Sequence, residues 1–91
     1  MKLKIILTNQ FKKDLKRAKK RSLDLYLLDQ IVTKLANQES LPASCRDHNL
    51  SGDWTGFREC HIQPDWLLIY RIDDPDLILI LFRTGSHADL F

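Results

Sequence analysis

Three histidines in the C-terminal half of this 91-residue chain are its best candidates for proton-transfer chemistry. They are His48, His61 and His87. Imidazole titrates closer to neutral pH than any other side chain, so a cluster of histidines suits general acid and base catalysis. Arg83 adds a fixed cation and Asp65 a carboxylate. Together these residues predict a site that moves protons next to a phosphate group.

Zinc binding is an alternative explanation for four polar residues, which are Cys45, His48, Cys60 and His61. Thiolates and imidazoles are common zinc ligands. However, Cys60 and His61 are neighbours on a predicted strand, where their side chains point to opposite faces and cannot easily meet one ion. We therefore expect no metal and no other cofactor, and we expect Cys60 to be a small core residue. Two cysteines are also too few for the disulfide framework of a small secreted domain.

A second candidate site is a run of seven cations within positions 12–21, opposed only by Asp14. The first 39 residues carry ten cations against four carboxylates, and the rest of the chain carries four against eight. The net charges of +6 and −4 predict one basic face, which is either solvated or, as we favour, a nucleic-acid contact. The candidate contact residues are Lys12, Lys13, Lys16, Arg17 and Lys20. Trp54, Trp66 and Phe91 are candidates for stacking on bases.

Hydrophobic periodicity predicts a strand and two helices in the first half of the chain. The strand covers Met1–Leu7, and the helix after it is capped by Thr8 or Asn9. A second helix is capped by Ser22 and ends at Leu41-Pro42. Two helices in series predict a hairpin. Their apolar positions are Phe11, Leu15, Ala18, Leu28, Ile31, Val32, Leu35 and Ala36.

The second half changes to a strand-like pattern after a predicted loop at residues 43–56. Three short runs, Phe57–Ile62, Trp66–Ile72 and Leu77–Arg83, are separated by turns rich in Pro and Asp. The simplest product is an antiparallel meander.

The register of this meander follows from four-residue turns, which place Leu68 opposite His61 and Leu81, and Trp66 opposite Arg83. Alternate residues then sort into two faces. The face predicted to pack on the helices contains Cys60, Ile62, Leu67, Ile69, Ile78, Ile80 and Phe82. The other face contains Glu59, His61, Trp66, Tyr70, Arg83, Leu68, Leu79 and Leu81. Because that second face is too apolar to leave bare, we expect a partner to cover it.

The length predicts a single domain over residues 1–91. The longest apolar run, Leu77–Phe82, is far short of the roughly 20 residues that a membrane helix needs. Polar residues 8–10 interrupt the apolar N-terminus, and no small-residue cleavage site follows. We therefore expect a cytoplasmic protein that does not associate with membranes.

In its motifs the chain resembles the RelE/ParE superfamily of toxins, and most closely the YafQ-type messenger-RNA interferases of bacterial type II toxin–antitoxin systems. The similarity in order and spacing covers nearly the whole chain, although the N-terminal helices match only as a pattern. Asn49 stands where the family pattern has proline. The segments that carry the resemblance are Asp47-His48-Asn49-Leu50, Gly52-Asp53-Trp54, residues 57–62, residues 64–71, Arg83-Thr84-Gly85-Ser86-His87 and Leu90-Phe91.

The resemblance implies an α+β fold with an N-terminal strand, a helical hairpin and an antiparallel meander, with the helices on one face of the sheet. It also implies a ribosome-dependent endoribonuclease that cuts translated messenger RNA without a metal. In that reaction the ribose 2′-hydroxyl attacks the adjacent phosphate and leaves a 2′,3′-cyclic phosphate and a 5′-hydroxyl.

The family roles fall on six residues, which are His48, His61, Asp65, Arg83, His87 and Phe91. By this resemblance His87 is the general acid, and His61 or His48 is the base with Asp65 orienting it. Arg83 stabilises the developing phosphate charge, and Phe91 stacks on a base.

The resemblance further implies a cognate antitoxin, usually acidic, and contact with operator DNA only through the toxin–antitoxin complex. One alternative is an inert relative that keeps the fold to bind an antitoxin as a co-repressor. The presence of His61, Asp65, Arg83 and His87 argues against it, because a binding module does not need them. Another alternative is a ParE-type inhibitor of DNA gyrase, and such relatives generally lack these histidines.

Overall fold

A computed structural model describes residues 2–91 and shows one sheet with two long helices on one face and a short helix near the C-terminus. The long helices are α1 (Asn9–Lys20) and α2 (Leu25–Ala36), and the short one is α3 (His87–Leu90). The strands are β1 (Lys4–Leu7), β2 (His48–Asn49), β3 (Arg58–Gln63), β4 (Trp66–Asp73) and β5 (Ile78–Gly85). The predicted α+β class is therefore confirmed, while Met1 of the predicted first strand lies outside the described residues.

The strand order is β1-β5-β4-β3-β2. Strands β3, β4 and β5 form the predicted antiparallel meander. Strand β1 pairs in parallel with β5 at one edge, and the helical hairpin carries the chain from β1 across the sheet toward β2 at the opposite edge. Strand β2 pairs with β3 at the opposite edge, inside a segment predicted to be only loop.

The predicted register of the meander is wrong at Leu68, by one residue between β3 and β4 and by three residues between β4 and β5. Leu68 lies opposite Cys60 and Thr84, and Trp66 lies opposite Gln63. The ladder shifts between His61 and Gln63 and again between Ile69 and Tyr70. Each irregularity shifts the residue pairing that regular turns would give. A shift of one residue moves a side chain to the other face of the sheet.

The predicted faces are consequently exchanged for β4 and β5, whereas Cys60 and Ile62 of β3 lie on the predicted helix side. Leu68, Leu79 and Leu81 are buried against the two long helices, so the expectation that they need a partner to cover them is wrong. Trp66, Tyr70 and Cys60 share that helix-side core, and the burial of Cys60 agrees with its prediction. The opposite face buries its own smaller core, which contains Leu67, Ile69, Phe82, Trp54, Phe57 and Leu90.

The helix starts follow local capping chemistry. The Thr8 hydroxyl accepts a bond from the Phe11 backbone N–H at 3.0 Å, which selects Thr8 from the two predicted caps. Helix α2 is capped by Asp24 instead of the predicted Ser22, with Asp24 accepting from the Tyr26 N–H. Ser22 has φ 59°, because the tight connection between the helices requires a left-handed residue there. Across residues 2–91, no helix has the length and apolar content needed to cross a membrane.

Candidate active site

The end of β3, the turn after it and the start of α3 meet at one solvent-exposed edge of the sheet. Asp65 lies in that turn, and His87 is the first residue of α3. One carboxylate oxygen of Asp65 accepts from the His87 backbone N–H at 2.9 Å and lies 2.7 Å from the His87 ring Nδ1. These bonds, the backbone one first, lower the pKa of Asp65. Asp65 therefore stays ionised and fixes the orientation of the His87 ring.

The ring of His61 lies next to the ring of His87. Their centroids are 5.7 Å apart at an interplanar angle of 62°. The His61 side chain is 14% exposed, whereas that of His87 is 55% exposed. The two imidazoles thus share one accessible edge, where two groups can exchange protons with the same bound phosphate.

Glu59 is a member of this cluster that the sequence-based site residues do not include. Its carboxylate oxygen lies 3.4 Å from Nε2 of His61 and 4.0 Å from Nε2 of His48. Glu59 and His61 are two residues apart on β3, so strand alternation already predicted that they share a face. The structure also corrects the role expected for Asp65, which pairs with His87, while Glu59 is the carboxylate beside His61 and His48.

His48 joins the cluster from the edge strand β2, whose Cα partner at this position is Glu59. Its ring Nδ1 lies 2.6 Å from the carbonyl oxygen of Arg46. A carbonyl oxygen can only accept, so Nδ1 carries a proton in this contact, and Nε2 is the ring nitrogen that faces Glu59. His48 is half exposed and lies at the outer limit of the cluster.

Arg83 is engaged with the buried carboxylate of Asp14 on α1. Its Nε and Nη2 donate to the two Asp14 oxygens at 2.8 and 3.3 Å. Asp14 is 1% exposed and also accepts from the Thr84 backbone N–H. The bond to Asp14 raises the pKa of Arg83, so the guanidinium stays charged. The two bonds use two of the five N–H donors of the guanidinium.

The residues predicted to stack on bases differ in their exposure to solvent. Trp66 is 2% exposed and its indole N–H donates to the Thr84 hydroxyl at 2.9 Å, so the prediction that it binds RNA bases is wrong. Phe91 is 60% exposed and lies in an edge-type contact with the Trp54 ring, with centroids 6.4 Å apart. Phe91 therefore keeps a ring face available for a ligand.

The predicted basic face lies on α1. Four of its candidate residues are exposed, namely Lys12, Lys13, Lys16 and Lys20. The fifth, Arg17, lies 3.3 Å from Asp89 of α3, and Arg21 just after the helix lies 2.6 Å from the same carboxylate. Two cations of the run are thus held by the C-terminal segment.

Three residues of the cluster have the geometry to hold a metal ion. Glu59, His61 and His87 can each offer one ligand atom, and these atoms lie within 4.8 Å of one another. The zinc set considered from the sequence is different, since Cys60 lies in the helix-side core while His61 faces the site. Burial raises the pKa of the Cys60 thiol well above its usual value, which keeps it protonated.

Comparison with known proteins gives consistent matches over the whole molecule. Residues 3–91 match the family described as a bacterial toxin of type II toxin–antitoxin systems, YafQ. The chain is 45% identical over 85 residues to the mRNA interferase toxin YafQ of Escherichia coli strain K12, covering 92% of this chain and 90% of that protein.

Two solved structures match the fold closely. The E. coli DinJ-YafQ toxin–antitoxin complex aligns with a TM-score of 0.89 at 42% identity, covering 100% of this chain and 99% of that chain. A metal-bound toxin from Helicobacter pylori aligns with a TM-score of 0.92 at 44% identity, covering 98% and 99%.

Proposed function

The chain belongs to the YafQ family of bacterial type II toxin–antitoxin toxins, and from this premise we propose that it is an endoribonuclease that cuts messenger RNA during translation. The observation that carries the proposal is the His87–Asp65 pair at 2.7 Å beside the ring of His61. An oriented imidazole next to a second imidazole is the arrangement that general acid–base cleavage of a phosphodiester requires.

The proposed reaction begins with His61 taking the proton of the ribose 2′-hydroxyl. The 2′-oxygen forms a bond to the adjacent phosphorus, and the bond from phosphorus to the 5′-oxygen of the next nucleotide breaks. His87 donates the proton that this leaving oxygen needs. The products are a 2′,3′-cyclic phosphate and a 5′-hydroxyl, with no net change in protons.

The surrounding residues support this division of roles. Glu59, 3.4 Å from Nε2 of His61, places a carboxylate beside the ring that accepts the proton. Asp65 holds His87 through Nδ1 and leaves Nε2 as the nitrogen that can donate to the leaving oxygen. His61 is a better base candidate than His48 because its ring directly neighbours that of His87.

Substrate binding uses groups around this cluster. Arg83 supplies its remaining N–H donors to the phosphate, which they stabilise as negative charge develops. Phe91 stacks on a base of the message. The exposed lysines of α1 attract a polyanion, which in this proposal is the RNA of the translating ribosome.

We propose a cognate antitoxin as the protein partner, since the E. coli relative is found in a complex with DinJ. An apolar groove of about 400 Å³ between β1 and the long helices supports this proposal. It is lined by Ile5, Leu7, Phe11, Leu15, Leu25, Leu28, Asp29, Val32 and Leu81. The complex would act in the cytoplasm and would contact operator DNA only through the antitoxin.

Mapping transcript ends after brief expression tests the nuclease proposal. We expect codon-phased cuts with 5′-hydroxyl ends, and we expect His87→Ala to lower the cleavage rate by about 10²–10⁴-fold while its circular dichroism is unchanged. A message with a 2′-deoxy sugar at the cut position should resist cleavage.

Other outcomes point to the two alternatives. DNA damage without RNA cuts would indicate a gyrase inhibitor, and growth that is unaffected would indicate a co-repressor module. A folded His87→Ala variant that cleaves normally would remove His87 from the mechanism.

A further inference from the structure

We propose that Asp89 is a positioning residue that fastens α3 to α1 and thereby holds His87 and Phe91 in the active site. This inference rests on the proposed nuclease function and concerns a residue that does not touch the substrate. The contacts of Asp89 with Arg17 and Arg21 are called the Asp89 bridge below.

The Asp89 bridge joins segments that are far apart in the chain. Nη1 and Nη2 of Arg21 donate to the two carboxylate oxygens of Asp89 at 2.6 and 3.2 Å, which is the two-point geometry that favours arginine–carboxylate pairs. Arg17 approaches one of these oxygens at 3.3 Å. The Asp89 side chain is only 13% exposed although its partners are nearly half exposed.

The Asp89 carboxylate also caps the start of α3. It accepts the backbone N–H of Ser86 at 2.9 Å while the Ser86 hydroxyl accepts the backbone N–H of Asp89, forming a capping box. Gly85 leaves room for this arrangement, because a Cβ there would lie 2.9 Å from an Asp89 oxygen and 3.0 Å from its Cβ. Asp89 therefore links the helix start, which is next to His87, to the basic helix.

A helix of four residues needs such a link. Short helices have no stability of their own in water, so tertiary contacts must hold them. Along α3 those contacts are the burial of Leu90, the bonds of His87 to Asp65 and the Asp89 bridge. The first two fix one side of the helix, and the bridge is the contact that fixes it to α1.

The cations of the bridge are also part of the run that the sequence assigns to RNA binding. Because Asp89 holds Arg17 and Arg21, their first role is structural. Loss of the bridge should therefore lower the rate of cleavage at saturation more than it weakens binding.

Three variants test the inference. Asp89→Asn keeps an oxygen that can accept from Ser86 but removes the charge that holds the arginines. Asp89→Glu keeps the charge and suits a capping box. The matched control is Asp24→Asn, the same substitution at the cap of α2, which lies outside the active site. For each purified protein we would measure single-turnover cleavage on translating ribosomes and two-dimensional NMR contacts between the His61 and His87 rings.

The expected result is a fall in the saturating rate of about 10–100-fold for Asp89→Asn, in line with the effect of small misplacements of catalytic groups. Its half-saturating concentration should change much less than the rate, and the His61–His87 contact should weaken. Asp89→Glu should recover most of the rate, and Asp24→Asn should match the wild type. Arg21→Gln combined with Asp89→Asn should be no worse than Asp89→Asn alone, because both remove one interaction.

A folded Asp89→Asn protein with the wild-type rate and an unchanged ring contact would overturn the inference. A change confined to the half-saturating concentration would also overturn it, because that pattern would make the bridge residues part of RNA binding. If the wild type cuts no message, the proposed function fails, yet the NMR contact still decides whether Asp89 positions His87.

Discussion

The two halves of the chain differ in charge and in chemistry. The first 39 residues carry a net charge of +6, most of it on the solvent side of α1, and contain no histidine. The remainder carries −4 and contains all three histidines together with Glu59 and Asp65. The first half is thus suited to attracting a polyanion and the second to moving protons.

Among residues 2–91, two carboxylates bind guanidinium groups across these halves, and each half supplies one of them. Asp14 of α1 binds Arg83 of β5, and Asp89 of α3 binds Arg17 and Arg21. The charged groups at this junction are satisfied by one another, whereas the lysines of α1 and the rings of His48 and His87 are exposed. We infer that the junction holds the structure, which leaves the outer groups for the proposed contact with the substrate.

The largest effect should come from breaking the buried contact of the junction. Asp14→Ala leaves Arg83 without its partner in a largely buried place, so the free energy of unfolding should fall by about 3–5 kcal/mol. Urea denaturation followed by circular dichroism measures this change. Asp29→Asn, at an exposed position of α2, is the control and should stay within about 0.5 kcal/mol of the wild type. A loss below about 1 kcal/mol for Asp14→Ala would mean that other contacts hold the halves together.

A smaller effect, confined to catalysis, is expected for Asp65→Asn. Asp65 is two-thirds exposed, so the free energy of unfolding at neutral pH should fall only slightly, but the His87 ring loses its charged partner. The saturating cleavage rate should fall by about 10–100-fold, with ribosome binding unaffected. Weaker binding at an unchanged rate would contradict the separation of binding and chemistry between the halves.

The pH dependence of that variant follows from the lowered pKa of Asp65. The carboxylate stays ionised in the folded protein at pH values where a free aspartate begins to protonate. Its support of the His87 ring is therefore complete above the ordinary pKa of aspartate and is lost as pH falls through the lowered pKa. The ratio of wild-type to Asp65→Asn rates should therefore be constant from about pH 6 to 8. A ratio that changes steeply within this range would assign the effect to another group.

Local patterns in the sequence predicted most of the elements. The stripe of Phe11 and Ala18 predicted α1, and the turns before Trp66 and Leu77 predicted the strands of the meander. These features depend on residues close in the chain, where capping and periodicity decide the outcome. The exchange of faces was not predicted because the strand pairing shifts at His61/Gln63 and Ile69/Tyr70. Turn lengths do not reveal such shifts inside the strands.

The sequence predicted that histidines and Asp65 come together, but it did not predict their pairing. His48, His61, Asp65 and His87 do lie in one cluster, whereas the partner of Arg83 is Asp14, 69 positions earlier. The carboxylate beside His61 is Glu59, for which Asp65 had been expected. Such pairs depend on how α1 packs on the sheet and on strand register, which no local pattern encodes. Trp66 was misassigned for the same reason, since its face follows from the register.

The smallest expected effect concerns the basic half alone. Replacing Lys12 and Lys13 by glutamine removes two exposed charges of α1 that lie outside the junction. Each cation that releases a counterion on binding single-stranded RNA contributes about 0.7 to the slope of log affinity against log salt, so the double variant should lower that slope by up to about 1.4. Affinity for translating ribosomes should fall several-fold at low salt, while the saturating rate stays constant. Lys34→Gln, on α2, removes a charge outside the basic run and serves as the control. If the lysine variant instead lowered the saturating rate with the salt slope unchanged, α1 would be contributing to catalysis, and the two halves would not divide binding from chemistry.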